Sequence, residues 1–312
     1  MSESPKERDD GAEKQESSSL QPQGPKALHT WSLFRTLGRL VAAGSMPSGA
    51  LPEAAGSGLA LLDLPAELAR RGYQSAQLCH FYLASRESGY LAELRAAFAE
   101  AGVEIECLLI DDGDLTHPAQ AEGHQDWIST WIEVAEGLGA ARVRVIAGKQ
   151  PPSRSTLRTS ALRLVQLADR HAGVRLVTEN WHALLPDAAA VNELLDQTDG
   201  QVGFLIDLGN WTGAGKYAEL AAVAARAETC QAKVKTNEAG VIDEHDYRAS
   251  LAVLRDAGYD GPLAMVYDGP DPDEWGKLDE AYAILRSEYA ADSVGSRPGW
   301  RTENLESRRD VS

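Results

Sequence analysis

Cysteine is scarce in this chain, and long apolar runs are absent. The 312 residues include three cysteines, Cys79, Cys107 and Cys230, and no CxxC pair. An odd count without paired spacing predicts reduced, buried thiols and favours a cytoplasmic protein. The N-terminus lacks the apolar stretch of a signal peptide, and no run approaches the roughly 20 apolar residues of a membrane span. We therefore expect neither secretion nor membrane insertion.

Positive charge is also in deficit. Lys and Arg number 30 against 47 Asp and Glu, which gives a formal net charge of −17. Such a surface repels a phosphate backbone, so we expect no nucleic-acid partner. Neither GxGxxG nor GxxxxGK[ST] follows the first predicted strand, so two common nucleotide-binding loops are missing. A small-molecule substrate is the expected partner, and a homodimer is the default oligomeric state.

Polar segments flank a middle that can form a core. Residues 1–26 are rich in Ser, Glu and Lys, residues 292–312 are similarly polar, and both are predicted to be disordered tails. Trp300 leaves open the alternative that the C-terminal tail is a docking segment. Hydrophobic residues make up 43% of the chain, an ordinary share for a globular protein. Residues 27–291 match the roughly 250 residues that a single (β/α)8 barrel needs.

Short apolar strands alternate with amphipathic helices along this middle, as in parallel α/β folds. The strands are predicted at residues 27–33, 75–81, 103–110, 141–148, 174–180, 202–210, 230–235 and 262–269. The helices are predicted at 64–73, 89–101, 127–138, 157–171, 188–197, 217–226, 247–257 and 274–289, with an irregular loop around Gly44–Gly58. A doubly wound open sheet usually has fewer units. We therefore predict a single-domain (β/α)8 TIM barrel with disordered N- and C-terminal tails.

Polar residues gather where the predicted strands end, which is where TIM barrels carry their chemistry. They are His29, Trp31, His80, Asp111, Asp112, Asp114, Lys149, Glu179, Asn180, His182, Asp207, Asn210, Trp211, Gln231, Lys233, Lys235, Tyr267 and Asp268. Glu, Asp and His together suit a divalent cation. Asp111 and Asp207 are equally able to cap a following helix, and His80 to be a core histidine. Glu179 and Asp207 form the strongest pair, because they end consecutive strands.

Four motifs resemble a known family. They are Thr-Glu-Asn at Thr178–Asn180, the segment Ile206–Trp211, Gln-Ala-Lys at Gln231–Lys233, and the segment Ala257–Gly269 with its Gly-Tyr-x-Gly turn. In their order and position they resemble those of the sugar phosphate isomerase/epimerase group of xylose isomerase-like barrels. The resemblance covers the chain from about His29 to Tyr289. That family typically binds a metal through a Glu on strand five and an Asp on strand six. It adds the His of a His-x-Lys motif on strand seven and a second Glu on strand eight.

The resemblance implies a set of site residues. Glu179 and Asp207 match the first two metal ligands, whereas Gln231 stands at the position of the His and Val266 at that of the second Glu. Asp268 lies on the same strand face as Val266 and is the nearest replacement. The expected metal set is Glu179, Asp207, Gln231 and Asp268, around Mn, Mg, Co or Zn. The expected catalytic residues are Glu179, Lys233 and His80, and the expected substrate-binding residues are His29, Trp31, Asn180, His182, Asn210 and Trp211.

The resemblance implies an enzyme of carbohydrate metabolism: a metal-assisted isomerase, epimerase or related lyase acting on a small polyhydroxylated carbonyl compound through an enediolate. Gln231 and Val266 disfavour an epimerase that uses two bases. They leave an alternative open, in which the barrel has lost metal chemistry and binds a sugar-like ligand or a protein partner. Glu179, Asp207 and Lys233 favour the enzyme. Abasic-site endonucleases share this barrel but use a three-metal site with many His and Asp ligands, which this sequence lacks.

Overall fold

The computed structural model describes residues 26–38 and 58–290. Within them, eight parallel strands form one closed barrel in the order β1 to β8, so the predicted single-domain (β/α)8 fold is confirmed. The strands are β1 Lys26–His29, β2 Ser75–Cys79, β3 Glu104–Ile110, β4 Arg142–Val145, β5 Arg175–Glu179, β6 Gly203–Asp207, β7 Ala227–Lys233 and β8 Leu263–Val266. The predicted tails, apart from Lys26, and all of the predicted Gly44–Gly58 loop except Gly58 lie outside the described residues.

A helix follows each strand along the described chain. The helices are α1 Leu64–Arg70, α2 Ser88–Ala101, α3 Ala121–Leu138, α4 Arg154–Arg170, α5 Ala188–Asp196, α6 Lys216–Ala224, α7 Glu244–Asp256 and α8 Glu274–Ala290. No helix in residues 26–38 and 58–290 has the length and apolar character needed to cross a membrane.

The first strand is shorter than the sequence predicts. It ends at His29, and Thr30–Leu33 form a single turn of 3₁₀ helix. The cause is local: the ring Nδ1 of His29 accepts a hydrogen bond from the backbone N–H of Trp31 at 2.9 Å, which turns the chain. Trp31 is thereby brought over the open end of the barrel.

The N-terminal half of the barrel interior is filled by a polar network. Gln77 of β2 donates to Glu106 of β3 at 2.7 Å and to Thr229 of β7 at 3.1 Å, so the contacts cross the barrel. Arg142 of β4 pairs with Glu106 at 3.0 Å. Burial raises the pKa of Glu106, although Arg142 opposes it. These side chains lie toward the starts of their strands and form a floor below the strand ends.

A candidate active site at the mouth of the barrel

A small pocket with a cavity volume of about 90 Å³, open to solvent, lies at the C-terminal ends of the strands. Its lining residues are His29, Trp31, Asp111, Arg144, Glu179, Trp181, Asp207, Asn210, Gln231, Lys233, Val266 and Asp268. Every strand except β2 supplies at least one of them, either from its last residues or from the loop that follows. The closed topology therefore gathers residues that are up to 239 positions apart in the sequence.

Charged side chains from β3 to β8 line this pocket, and each of two cations stands between acidic neighbours in the series. The series runs Asp111, Arg144, Glu179, Asp207, Lys233 and Asp268, with one residue from each successive strand or the loop after it. Three of the contacts are close ion pairs. Arg144 reaches Asp111 at 2.5 Å and Glu179 at 2.9 Å, and Lys233 reaches Asp268 at 2.6 Å. Arg144 is thus held between two carboxylates, and Glu179 and Asp207 follow each other in the series without a cation between them.

Arg144 is the most deeply buried charge of the series, with 1% of its surface exposed. It alternates with Val143 and Val145 along β4, so it faces the barrel interior while the valines face the helices. Its guanidinium donates to the carbonyl of Ile110 at 2.9 Å. Burial opposes its charge, but Asp111 and Glu179 outweigh burial and raise the pKa of Arg144. It is therefore a permanent cation inside the barrel.

Glu179 is a pocket carboxylate with a raised pKa. Burial raises its pKa from 4.5 to about 7, since the opposing effect of Arg144 is smaller and Asp207 adds repulsion. Its Oε1 accepts a hydrogen bond from Asn210 at 2.7 Å. Its Oε2 touches Nε of Arg144 without the alignment of a hydrogen bond. A carboxyl of this kind is present in both protonation states near neutral pH.

Asp207 ends β6 next to Glu179 and is held by the backbone. Its Oδ1 accepts the N–H groups of Gly209 at 2.6 Å and Asn210 at 2.8 Å. Burial nevertheless raises the pKa of Asp207, with Lys233 opposing it. Two adjacent buried carboxyls with raised pKa values retain a proton between them above the pH at which ordinary carboxyls ionise.

Asn180 fixes the spacing between those two carboxylates. Its side-chain amide donates to the carbonyl of Asp207 at 3.0 Å and accepts the N–H of Asp207 at 2.7 Å. These bonds tie the end of β5 to the end of β6. Asn180 does not line the pocket, so its position favours a supporting role over the predicted contact with substrate.

Lys233 reaches the pocket along a path that requires a glycine. A Cβ placed on Gly209 would lie 2.8 Å from Cδ of Lys233. Burial opposes the charge of Lys233, but Asp207 and Asp268 raise its pKa. The close approach of the Lys233 side chain thus explains why residue 209 is a glycine.

His29 is a neutral hydrogen-bond donor in this pocket. Burial lowers its pKa to about 3. Because Nδ1 accepts the N–H of Trp31, the single ring proton resides on Nε2. His29 therefore offers an N–H group without positive charge.

Several buried polar atoms of the pocket have no hydrogen-bond partner in the described protein. They are Oδ2 of Asp111 and Nε2 of Gln231, whereas Nε of Arg144 and Oε2 of Glu179 meet each other as an ion pair at 2.9 Å without the alignment of a hydrogen bond. Unpaired buried polar groups are rare because each costs free energy. The set mixes donors and acceptors, and a hydroxyl group can be both. The pocket chemistry therefore matches a ligand that carries several hydroxyl groups.

The donor set does not fit a divalent cation. Among residues 26–38 and 58–290, no three His, Cys, Asp or Glu side chains are close enough together to hold a metal ion. Glu179 is in contact with Arg144, Asp268 is in contact with Lys233, and Gln231 contributes only a neutral amide. A metal at the predicted ligands would face two fixed positive charges.

The structure brings eight of the predicted site residues into one pocket and leaves four outside its lining. The eight are His29, Trp31, Glu179, Asp207, Asn210, Gln231, Lys233 and Asp268; the four are His80, Asn180, His182 and Trp211. His80 packs 4.8 Å from the ring of Trp131 and accepts the N–H of Asp111 at 3.2 Å, so it lies behind the pocket wall.

The remaining two lie on the β5 and β6 sides. Trp211 is buried and donates to the carbonyl of Leu185 at 3.1 Å, as a core residue does. His182 has a positive φ of 60° and stacks on Trp181 at 4.0 Å, with its buried Nε2 unpaired in the described protein. It is Trp181, not His182, that lines the pocket.

Sequence reasoning missed Arg144. The signal was the pattern Arg-Val-Arg-Val in β4, which places charged residues at alternate positions of a barrel strand. Val143 and Val145 are both fully buried, so the arginines must face the other way, into the barrel.

Comparisons with known proteins agree with this architecture. The family model described as xylose isomerase-like TIM barrel matches residues 65–287, well over half of the chain. The chain belongs to the xylose isomerase-like TIM barrel family. No curated protein sequence matches it significantly.

Solved structures of this family superpose over most of the chain. A xylose isomerase-like TIM barrel protein from Mycobacterium smegmatis, in complex with magnesium, has a TM-score of 0.62 at 14% identity over 86% of this chain and 98% of that one. The 3-keto-D-glucoside 4-epimerase from E. coli gives 0.58 at 16% identity, over 78% and 97%. D-Psicose 3-epimerase from Clostridium cellulolyticum H10 gives 0.56 at 13%, over 86% and 97%. At these identities the likeness establishes the fold.

Proposed function

We propose that this protein is an isomerase of a small, neutral, polyhydroxylated carbonyl compound, and that Glu179 moves a proton between two neighbouring carbons. The observation that carries the proposal is the state of Glu179, a buried carboxyl in a polar pocket with its pKa raised to about 7. A general base works best when its pKa lies near the working pH. The two sugar epimerases of the same fold support this class of reaction.

In the proposed reaction, Glu179 removes the proton from the carbon next to the carbonyl group. Negative charge then develops on the carbonyl oxygen. The Nε2–H of His29 is the uncharged donor that lines the pocket for that oxygen, and the positive charges of Arg144 and Lys233, although paired with carboxylates, stabilise it through space. Glu179 returns the proton to the former carbonyl carbon, and the hydroxyl proton passes from one enediol oxygen to the other. The sum is an aldose–ketose type interconversion that consumes no oxidant or reductant.

One base favours isomerisation over epimerisation. Inverting a carbon requires a proton donor on the opposite face of the intermediate. Val266 occupies the β8 position where the family carries its second Glu, and it lines the pocket as an apolar residue. Asp268 is held by Lys233 at 2.6 Å. A single carboxyl that removes and returns the proton on one face is sufficient for isomerisation.

The charge pattern favours a neutral substrate. Arg144 and Lys233 are already paired with carboxylates, and the pocket contains four acidic side chains. A phosphate group would lack a free cation and meet repulsion. Trp31 and Trp181 supply apolar faces of the kind on which sugar rings pack.

A second candidate is a ligand-binding barrel without catalysis. It is favoured by Gln231 and Val266, which stand where the family carries a metal-binding His and a second Glu. Under this reading the same pocket binds a polyol, and no proton is exchanged.

The test is a panel of aldoses and ketoses incubated with protein in D₂O and followed by ¹H NMR. We expect deuterium to enter at the carbon next to the carbonyl of at least one compound, with Glu179→Gln inactive. Glu193→Gln, which changes an exposed residue of α5, is the matched control and should retain full activity. If saturation-transfer difference NMR shows that a compound binds but no deuterium is incorporated, the ligand-binding barrel is supported and the isomerase is refuted. A panel that neither exchanges nor binds would refute both.

A further inference from the structure

We propose that Arg144 and Lys233 take the place of the divalent cation, so that this pocket functions with its charge balance supplied by its own side chains. The proposal rests on the contacts and charges of the pocket and does not depend on which reaction the protein catalyses. It departs from the sequence-based expectation of a metal held by Glu179, Asp207, Gln231 and Asp268.

The order of the charges is the first support. Along the series from β3 to β8, Arg144 precedes and Lys233 follows the central carboxylate pair of Glu179 and Asp207. Positive charge of the kind that a divalent cation would bring is thus supplied to the pair by side chains. A further cation at the pair would lie close to both of them and be repelled.

The position of Arg144 is the second support. Its Nε lies 2.9 Å from Oε2 of Glu179, and its Nη2 lies 2.5 Å from Oδ1 of Asp111. The guanidinium is 1% exposed, so it has no solvent-facing position into which it can swing without repacking. A cation that used Oε2 of Glu179 would have to lie against this guanidinium.

Lys233 supplies positive charge on the Asp207 side of the pair. It contacts Asp268 at 2.6 Å, and the charges of Asp207 and Asp268 both stabilise its ammonium form. The Oδ1 atom of Asp207 is already occupied by two backbone N–H groups. The oxygen atoms that the family would give to a metal are therefore shared among this protein's own donors.

Gln231 completes the argument. Its side chain lines the pocket, and its buried Nε2 has no hydrogen-bond partner in the described protein. The neutral amide offers both a donor and an acceptor, which suits a hydroxyl group, and it lacks the imidazole nitrogen or carboxylate charge that binds a cation strongly. The residue in the position of the expected histidine thus suits a polyol better than a cation.

The experiment is a titration of the full-length protein with Mn²⁺, followed by electron paramagnetic resonance of the free ion. We expect the wild type to show no saturable site at micromolar Mn²⁺. A micromolar site in the wild type that is lost in Glu179→Gln would overturn the proposal.

Removing one cation should create the missing site. Arg144→Gln replaces the guanidinium by a shorter, uncharged amide that can still donate a hydrogen bond, and its affinity for Mn²⁺ should be at least tenfold higher than that of the wild type. Arg144→Lys keeps the positive charge and is the matched control, so its affinity for Mn²⁺ should not rise. Lys233→Gln, at a position with a partly exposed side chain, repeats the test should Arg144→Gln not fold. If a folded neutral variant gains no binding, these cations are not what excludes the metal, and the proposal is wrong.

Discussion

Replacing Arg144 with methionine removes the cation that separates two buried carboxylates. The wild-type guanidinium contacts Asp111 at 2.5 Å and Glu179 at 2.9 Å, and donates to the carbonyl of Ile110 at 2.9 Å. Breaking a buried ion pair from one side typically costs about 3–5 kcal/mol, because the remaining charge is left uncompensated. Glu179 is already able to hold a proton near neutral pH. Asp111 is then the main charge left without a partner, and we expect a loss toward the lower end, about 3 kcal/mol at pH 7.5.

The assay is equilibrium urea unfolding followed by tryptophan fluorescence, with reversibility checked at each pH. Arg158→Met, which changes an exposed residue of α4, is the control and should stay within about 0.5 kcal/mol of the wild type. The deficit of Arg144→Met should shrink at pH 5, since both stranded carboxylates can then bind protons more easily. A loss below about 1 kcal/mol at pH 7.5 would show that Arg144 is not needed to neutralise the pocket.

Three further predictions concern the residues around the pair. The folded-state pKa of Glu179, about 7, lies above its ordinary value of 4.5. The protonated carboxyl therefore stabilises the fold fully below pH 4.5, and this stabilisation is lost as pH rises through 7. The unfolding free energy of the wild type should accordingly fall relative to that of Glu179→Gln between pH 5 and 8. In Gly209→Ala the new Cβ would press on Lys233, and turnover or ligand affinity should fall by about tenfold; Gly215→Ala, which meets nothing within 4 Å, should leave both unchanged. Asn180→Ala strands two backbone groups between β5 and β6 and should cost about 1–3 kcal/mol in urea unfolding; an unchanged midpoint would mean that those bonds are dispensable.

Much of the fold follows from local patterns in the sequence. Apolar strands and amphipathic helices alternate, and this alternation predicts the barrel and the direction of its mouth. The boundaries differ where polar residues begin a helix. Helix α3 starts at Ala121, six residues before the predicted Trp127, because its first turn carries Glu122 and Gly123, which an apolar pattern does not count.

The site was predictable only in part. Glu179 and Asp207 end neighbouring strands, so their shared location at the mouth follows from the predicted topology. The partners of Arg144 do not follow, since they depend on the stagger between β3, β4 and β5. The packing of His80 against Trp131 depends in the same way on how α3 covers the barrel. Sequence identifies the charged residues, and three-dimensional register decides which of them neutralise one another.

The most direct measurement is an NMR titration of the side-chain carboxyl carbons in ¹³C-glutamate-labelled protein, with and without Mg²⁺. We expect one glutamate signal that titrates near pH 7, is absent in Glu179→Gln, and keeps its midpoint when Mg²⁺ is added. A Glu179 carboxyl that ionises like an exposed one, or whose midpoint falls on addition of Mg²⁺, would contradict this expectation.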